Sequence, residues 1–161
     1  MKTKNFTISN DHFSELIWKI AIGTALSWEL AKLFGSEHPY LAPISVILCQ
    51  QSTNSKTVKI SIQRVTGTVI GIFITVLVAS FIPVNGGTLG LIILFGCFIT
   101  KFLKFDKVVV HQVALTILFV FALGHKEKHY AMDRMIDTLI GVAIVAIIQV
   151  TWSRLISRKK Q

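Results

Sequence analysis

Long uncharged apolar runs are the feature that most constrains this sequence. Residues 65–100 carry no charged side chain at all. Residues 108–124 carry only the potential charge of His111, and residues 135–153 carry only that of Asp137. Soluble domains break their apolar residues into short periodic stripes, whereas uninterrupted runs of roughly 18 residues or more are typical of membrane-spanning helices. The runs therefore predict an all-α membrane protein embedded in a lipid bilayer.

Six apolar segments organise the chain. They lie at about 14–34, 39–50, 65–82, 88–103, 108–123 and 135–152. Six membrane helices of about 20 residues would use most of the 161 residues. We therefore predict six transmembrane helices in a single transmembrane domain over residues 1–161, with no soluble domain.

The positive charge of the chain lies in short clusters between these segments. The formal net charge is +9, but no aromatic residues interleave with the clusters as they do in nucleic-acid grooves. We therefore expect no nucleic-acid partner.

The same clusters predict a topology. Six crossings place both termini on one side, together with twelve of the Lys and Arg residues: Lys2, Lys4, Lys56, Lys59, Arg64, Lys101, Lys104, Lys107, Arg154, Arg158, Lys159 and Lys160. The opposite side holds Lys126, Lys128 and Arg134. Because cytoplasmic loops are rich in Lys and Arg, we expect both termini in the cytoplasm of a multi-pass protein of the bacterial cell membrane.

An internal similarity relates residues 64–74 to residues 134–144 at an offset of 70. The matching pairs that carry weight are Arg64 with Arg134, Thr68 with Thr138, and Gly71 with Gly141. Three crossings per copy would invert the second copy relative to the first. The pattern thus predicts two inverted three-helix repeats, at about 13–82 and about 86–153, followed by a basic tail over residues 154–161. Such repeats are common in transporters, where substrate binds between the halves.

The repeated positions share one helix face. Arg64, Thr68 and Gly71 are spaced so that they lie on the same side of a helix, and their counterparts Arg134, Thr138 and Gly141 are spaced likewise. Two interpretations stay open. Gly67 and Gly71 form a small-residue pair that lets membrane helices pack closely, or the face lines a polar substrate path.

Three motifs resemble a known family. They are the stretch from His38 to Ser45, the stretch from Gln63 to Gly71, and the stretch from Arg134 to Gly141. Together they resemble the membrane domain of the fusaric acid resistance / aromatic acid exporter family. This resemblance implies six helices and the export of aromatic or other amphipathic organic anions. For a chain with a single domain, it also implies a homodimer.

Charged residues in the first segment are candidates for function, since ionisable groups inside a membrane are costly. Lys19 and Glu29 lie deepest. They could pair along the helix with Glu15 and Lys32 respectively. Alternatively, Lys19 attracts an anion and Glu29 carries a proton.

Helix starts and breaks supply further candidates. We expect Arg64 and Arg134 to begin helices, either as anchors at the membrane interface or as anion sites beside free N–H groups. Asp137 is expected one turn into the sixth helix, where it interacts with the helix dipole or couples a proton. Pro43 predicts a kink or break in the second helix, and such breaks mark binding sites in transporters.

The histidines complete the candidate set. His38 is expected in a turn that borders the substrate path, and His111 is a candidate for proton coupling near neutral pH. His125 and His129 lie among lysines and make a poor metal site. We expect no metal, no cofactor and no enzymatic activity, because the sequence holds no catalytic motif.

The leading functional interpretation is a transporter or permease that exports small organic anions and works as a homodimer. An anion channel would use the same features. A non-transporting membrane subunit that organises a partner complex is the third possibility.

Overall fold

The computed structural model describes residues 10–51, 53–79, 83–124 and 129–159, and within these ranges every regular element is a helix. The six helices are α1 (Asn10–Leu33), α2 (Leu41–Cys49), α3 (Asn54–Ala79), α4 (Gly86–Phe102), α5 (Lys107–Leu123) and α6 (Tyr130–Lys159). The predicted all-α class is confirmed, and each helix overlaps one predicted segment.

The helices differ in how far they reach. Two stretches, Asn54–Val78 of α3 and Tyr130–Arg154 of α6, have the length and apolar composition of a membrane crossing. The helices α4 and α5 have 17 residues each, which extends about 25 Å at 1.5 Å per residue. The nine residues of α2 extend only about 14 Å, roughly half of the hydrocarbon core of a bilayer. This helix alone is therefore too short to cross the hydrocarbon core.

Pro43 does not break α2. It is the third residue of this helix, and backbone N–H groups in the first turn have no acceptor within the helix in any case. The expected kink or break at Pro43 was wrong because the helix begins at Leu41, only two residues earlier. The helix instead ends at Cys49, and the backbone of the next residue, Gln50, is extended.

The helix α3 begins at Asn54, well before the predicted start at Val65. Lys56 and Lys59 are exposed on its first turns, while Thr57 is buried. The charged residues on one face lower the mean hydropathy of this stretch, so hydropathy alone predicts a loop before Val65. Its amphipathic spacing is nonetheless compatible with a helix that emerges from the membrane.

Contacts between helices fix their directions. The ammonium group of Lys19, early in α1, lies 5.4 Å from the ring centroid of Trp152, late in α6. Ser36, just after α1, donates a hydrogen bond to Asp137 of α6. These two contacts make α1 and α6 antiparallel, so the start of α1 and the end of α6 lie at the same end of the bundle.

Two long-range helix pairs form the centre of the bundle, and both pack through glycine. A Cβ atom on Gly71 of α3 would lie 2.6 Å from Cβ of Thr116 of α5. A Cβ atom on Gly141 of α6 would lie 2.5 Å from the carbonyl oxygen of Ala42 of α2. The prediction that the glycine face is a packing seam is therefore confirmed for both helices, since only glycine permits this approach.

Candidate anion site

Arg64 lies in the interior of the bundle. Its side chain is fully buried, and its Nη1 atom donates a 2.7 Å hydrogen bond to Oε1 of Gln112 on α5. Its Nε and Nη2 atoms have no hydrogen-bond partner within the described ranges. Because α3 begins at Asn54, Arg64 lies mid-helix. The prediction that it stands at a helix N-terminus was wrong, and the free N–H groups of a helix start do not contribute there.

Arg134 is the second buried arginine, with 1% of its surface exposed. It lies in the second turn of α6, close to the helix start as predicted. Its guanidinium carbon lies 4.7 Å from the ring centroid of Phe119 on α5, a geometry that favours a cation–π interaction. Its Nε and Nη1 atoms are without a hydrogen-bond partner in the part of the chain that the structure describes.

The two buried guanidinium groups give the interior of the bundle a net positive charge. The ion pairs formed among the described residues lie elsewhere, between Lys32 and Glu29 and between Lys59 and Asp106. A buried donor left without a partner costs about 1–3 kcal/mol, and more when it is charged. An anion that accepts hydrogen bonds from these groups would offset that cost.

Asp137 contributes one negative charge on the side of Arg134. It interacts electrostatically with Arg134, while its Oδ2 atom accepts a 2.7 Å hydrogen bond from the hydroxyl of Ser36. Asp137 is two turns into α6, which begins at Tyr130. The dipole-capping alternative was therefore wrong. With both arginines and Asp137 ionised, the group carries a net charge of about +1, which suits a monovalent anion.

Two buried threonines lie further along the α3–α5 contact than Arg64, with Thr116 packed against Gly71. Thr68, one turn further along α3, and Thr116 on α5 are both fully buried. Neither Oγ1 atom has a hydrogen-bond partner among the residues described. Thr138, the counterpart of Thr68, instead donates a 2.7 Å hydrogen bond to the carbonyl oxygen of Arg134. The α3–α5 contact thus holds two buried hydroxyl groups without a partner among the described residues, whereas the hydroxyl of Thr138 already has one.

His38 lies with aromatic residues at the Arg134 side. Its ring centroid is 4.8 Å from that of Tyr130 and 5.6 Å from that of Tyr40. Its backbone N–H donates a 3.1 Å hydrogen bond to the hydroxyl of Ser36, which in turn donates to Asp137. The structure therefore brings His38, Asp137 and Arg134 together, although they are far apart in sequence.

The predicted residues Lys19 and Glu29 lie away from the arginines. Lys19 packs over Trp152 and interacts with Glu15. Glu29 is exposed and lies 4.0 Å from Lys32, as the helix-pairing alternative predicted.

His111 is exposed, with Nδ1 2.7 Å from the carbonyl oxygen of Lys107. Pro43 is half-buried in the first turn of α2. The predicted poor metal site pairs His129 with His125, which lies outside the described residues.

Sequence reasoning missed Gln112, Thr116 and Ser36. Gln112 is a polar amide inside an apolar run, and such residues usually face other helices, so a signal was present. No signal pointed to Ser36, because its contact with Asp137 joins residues 101 positions apart.

The fold and the buried arginines belong to a helical membrane protein, and the sequence defines its family. Residues 24–148 match the family described as fusaric acid resistance protein-like. The chain belongs to this family, which confirms the resemblance found in its motifs. No solved structure matches it.

A curated relative supports the membrane assignment. The chain is similar to the inner membrane protein YccS of Escherichia coli (strain K12), with 26% identity over 153 residues. The similarity covers 93% of this chain and 21% of the relative. The chain thus spans about a fifth of the length of this relative.

Proposed function

We propose that this protein is a membrane transporter or permease for small organic anions, and that Arg64 and Arg134 bind the anion. One observation carries the proposal: both guanidinium groups are buried among apolar helices and keep N–H donors unpartnered within the described ranges. Ionisable groups are costly inside a membrane and are usually retained there for a function. An anion passing through the bundle is the ligand that this charge and these donors favour.

The packing pattern supports two inverted repeats. The third helix of each predicted repeat packs on the second helix of the other, α3 on α5 and α6 on α2. Asn54, at the start of α3, accepts a hydrogen bond from Gln149 near the end of α6. Ile72, late in α3, packs in the cluster that contains Tyr130 at the start of α6. Equivalent helices that run antiparallel are what a two-fold axis in the membrane plane requires.

We also propose that both termini face the cytoplasm in a multi-pass arrangement. The start of α1 and the end of α6 share one end of the bundle, and the exposed Lys56, Lys101 and Arg154 carry the basic side of the predicted topology. The positive-inside rule assigns that side to the cytoplasm.

The substrate class follows from the family and the local surroundings. The family is described by resistance to fusaric acid, an organic acid. The Arg134 side of the site also presents the rings of Phe119 and His38. We therefore propose aromatic or amphipathic carboxylates as substrates, export as the direction, and a homodimer as the working unit.

Flux into proteoliposomes tests the proposal. Purified protein is reconstituted and assayed with radiolabelled benzoate, comparing the wild type with Arg64→Gln and Arg134→Gln. A hydrogen bond to a charged group contributes about 1.5–3 kcal/mol, so we expect flux at limiting substrate to fall about 10-fold or more in each variant. Arg154→Gln removes an exposed arginine of α6 and should leave flux unchanged.

Other outcomes identify the alternatives. Equal flux in wild type and both arginine variants would contradict the proposed site. Single-channel conductance carried by anions would instead identify an anion channel. Absence of any flux by folded protein, together with a stoichiometric partner that copurifies, would identify a non-transporting membrane subunit.

A further inference from the structure

A long apolar groove runs between α4 and α5 on the surface of the bundle. Its volume is about 610 Å³, within the roughly 300–1,000 Å³ of typical small-molecule sites. Ile93 and Phe98 of α4 and Val110 of α5 line its wall. Lys101 and Lys107 also line it, and both are exposed. The groove thus joins an apolar floor to a pair of cationic groups.

The length of the groove matches one leaflet of a bilayer. It follows α4 from Gly90 to Lys101, which is about 16 Å at 1.5 Å per residue. The hydrocarbon core of a bilayer is about 30 Å thick, so one leaflet contributes about 15 Å. An acyl chain that enters from the basic end would therefore reach Gly90 near the middle of the membrane.

The basic end carries no compensating carboxylate among the described residues that line the groove. Asp106 precedes α5 but does not cap it with its side chain. Its Oδ2 atom instead accepts one hydrogen bond, at 2.6 Å from Nε2 of Gln63, and forms an ion pair with Lys59 at 3.0 Å; both residues are on α3. The first N–H groups of α5 therefore add their partial positive charge to that of the lysines.

We propose that this groove is a binding site for an anionic phospholipid. The phosphate lies between Lys101, Lys107 and the start of α5, and one acyl chain lies along the apolar floor as far as Gly90. A zwitterionic lipid fits the floor equally well, but its headgroup carries no net charge to interact with the lysines. Basic grooves between membrane helices on the cytoplasmic side are a known means of recognising anionic headgroups.

Lipid binding to the purified 161-residue chain tests the headgroup contact. The protein in detergent is titrated with phosphatidylglycerol or phosphatidylcholine, and bound lipid is counted by native mass spectrometry. We expect phosphatidylglycerol to bind at least about 10-fold more tightly. The double variant Lys101→Gln/Lys107→Gln should lose this preference. The control Lys56→Gln/Arg154→Gln removes two exposed cations from the same end of the bundle and should keep it.

A second pair of variants tests the acyl-chain contact without changing charge. A Cβ atom added at Gly90 or at Gly86 meets no atom within 4 Å, so both positions of α4 accept larger side chains. Gly90→Phe fills the groove and should weaken the binding of both lipids. Gly86→Phe lies outside the groove lining and should not.

Two results would overturn the proposal. One is equal binding of the two lipids to the wild type. The other is unchanged phosphatidylglycerol binding in Gly90→Phe combined with loss of a dimer, which would identify a second copy of the chain as the occupant. Neither measurement depends on transport, so the outcome is separate from that of the flux assay.

Discussion

Replacing Arg64 by Met should stabilise the protein in the absence of substrate while abolishing transport. The substitution removes two buried donors that have no partner among the described residues, Nε and Nη2. Each such group costs about 1–3 kcal/mol. The substitution also leaves Oε1 of Gln112 without its donor, at a similar cost of about 1–3 kcal/mol. The variant thus loses two unpartnered buried groups and gains one. The difference of one group should stabilise the folded variant by about 1–3 kcal/mol.

Thermal unfolding in detergent measures this balance. For a chain of this length, about 1 kcal/mol corresponds to about 2–4 °C, so we expect the Tm of Arg64→Met to rise by about 2–12 °C. The three tryptophans supply the fluorescence signal. The double variant Arg64→Met/Gln112→Leu removes the orphaned acceptor as well and should be more stable still. The exposed Arg154→Met should stay within about 0.5 kcal/mol of the wild type.

A loss of stability would refute this reasoning. Breaking a buried charge pair typically costs about 3–5 kcal/mol. If Arg64→Met lowered stability by that amount, the guanidinium would be paired in the protein and would serve its structure. A rise in stability with a loss of flux is the signature of a residue kept for function.

Three further substitutions test the helix packing and the buried hydrogen bonds of the bundle. Gly67→Ala places a Cβ atom 2.5 Å from Cβ of Gln112, so we expect a loss of about 1–3 kcal/mol by thermal unfolding. The Cβ atom of Gly90→Ala meets no atom within 4 Å, so this variant should be more stable by up to about 1 kcal/mol because alanine has the higher helix propensity. Equal Tm shifts for Gly67→Ala and Gly90→Ala would contradict the packing seam at Gly67. Gln149→Leu removes the acceptor of the 2.8 Å hydrogen bond from Gln50 and should cost about 1–3 kcal/mol, whereas an unchanged Tm would show that this buried contact does not stabilise the fold.

Much of the fold could be predicted because apolar runs and glycine spacing are local signals. The six segments and the close packing at Gly71 and Gly141 follow from the lipid environment and from helix geometry. The predicted helix boundaries were less accurate where charged residues belong to a helix, as Lys59 does on the first turns of α3.

The site was predicted only in part, because its geometry depends on tertiary packing. The burial of Arg64 depends on where α3 begins, and hydropathy placed that start too late. Its contact with Gln112 joins residues 48 positions apart, and no spacing rule connects them. The charged residues of the first segment were predicted to have a function because ionisable groups are costly inside a membrane. In the structure, Glu29 and Lys32 instead interact with each other at the surface of the bundle.

Binding of an anion to the buried arginines is the central claim, and ligand-dependent unfolding tests it most directly. A ligand at about 100 times its Kd stabilises a protein by about 2.7 kcal/mol. We therefore expect saturating benzoate to raise the Tm of the wild type and of Arg154→Gln, and to leave that of Arg64→Gln and Arg134→Gln unchanged. An equal rise in all four proteins, or no rise in the wild type with any aromatic carboxylate, would contradict the claim.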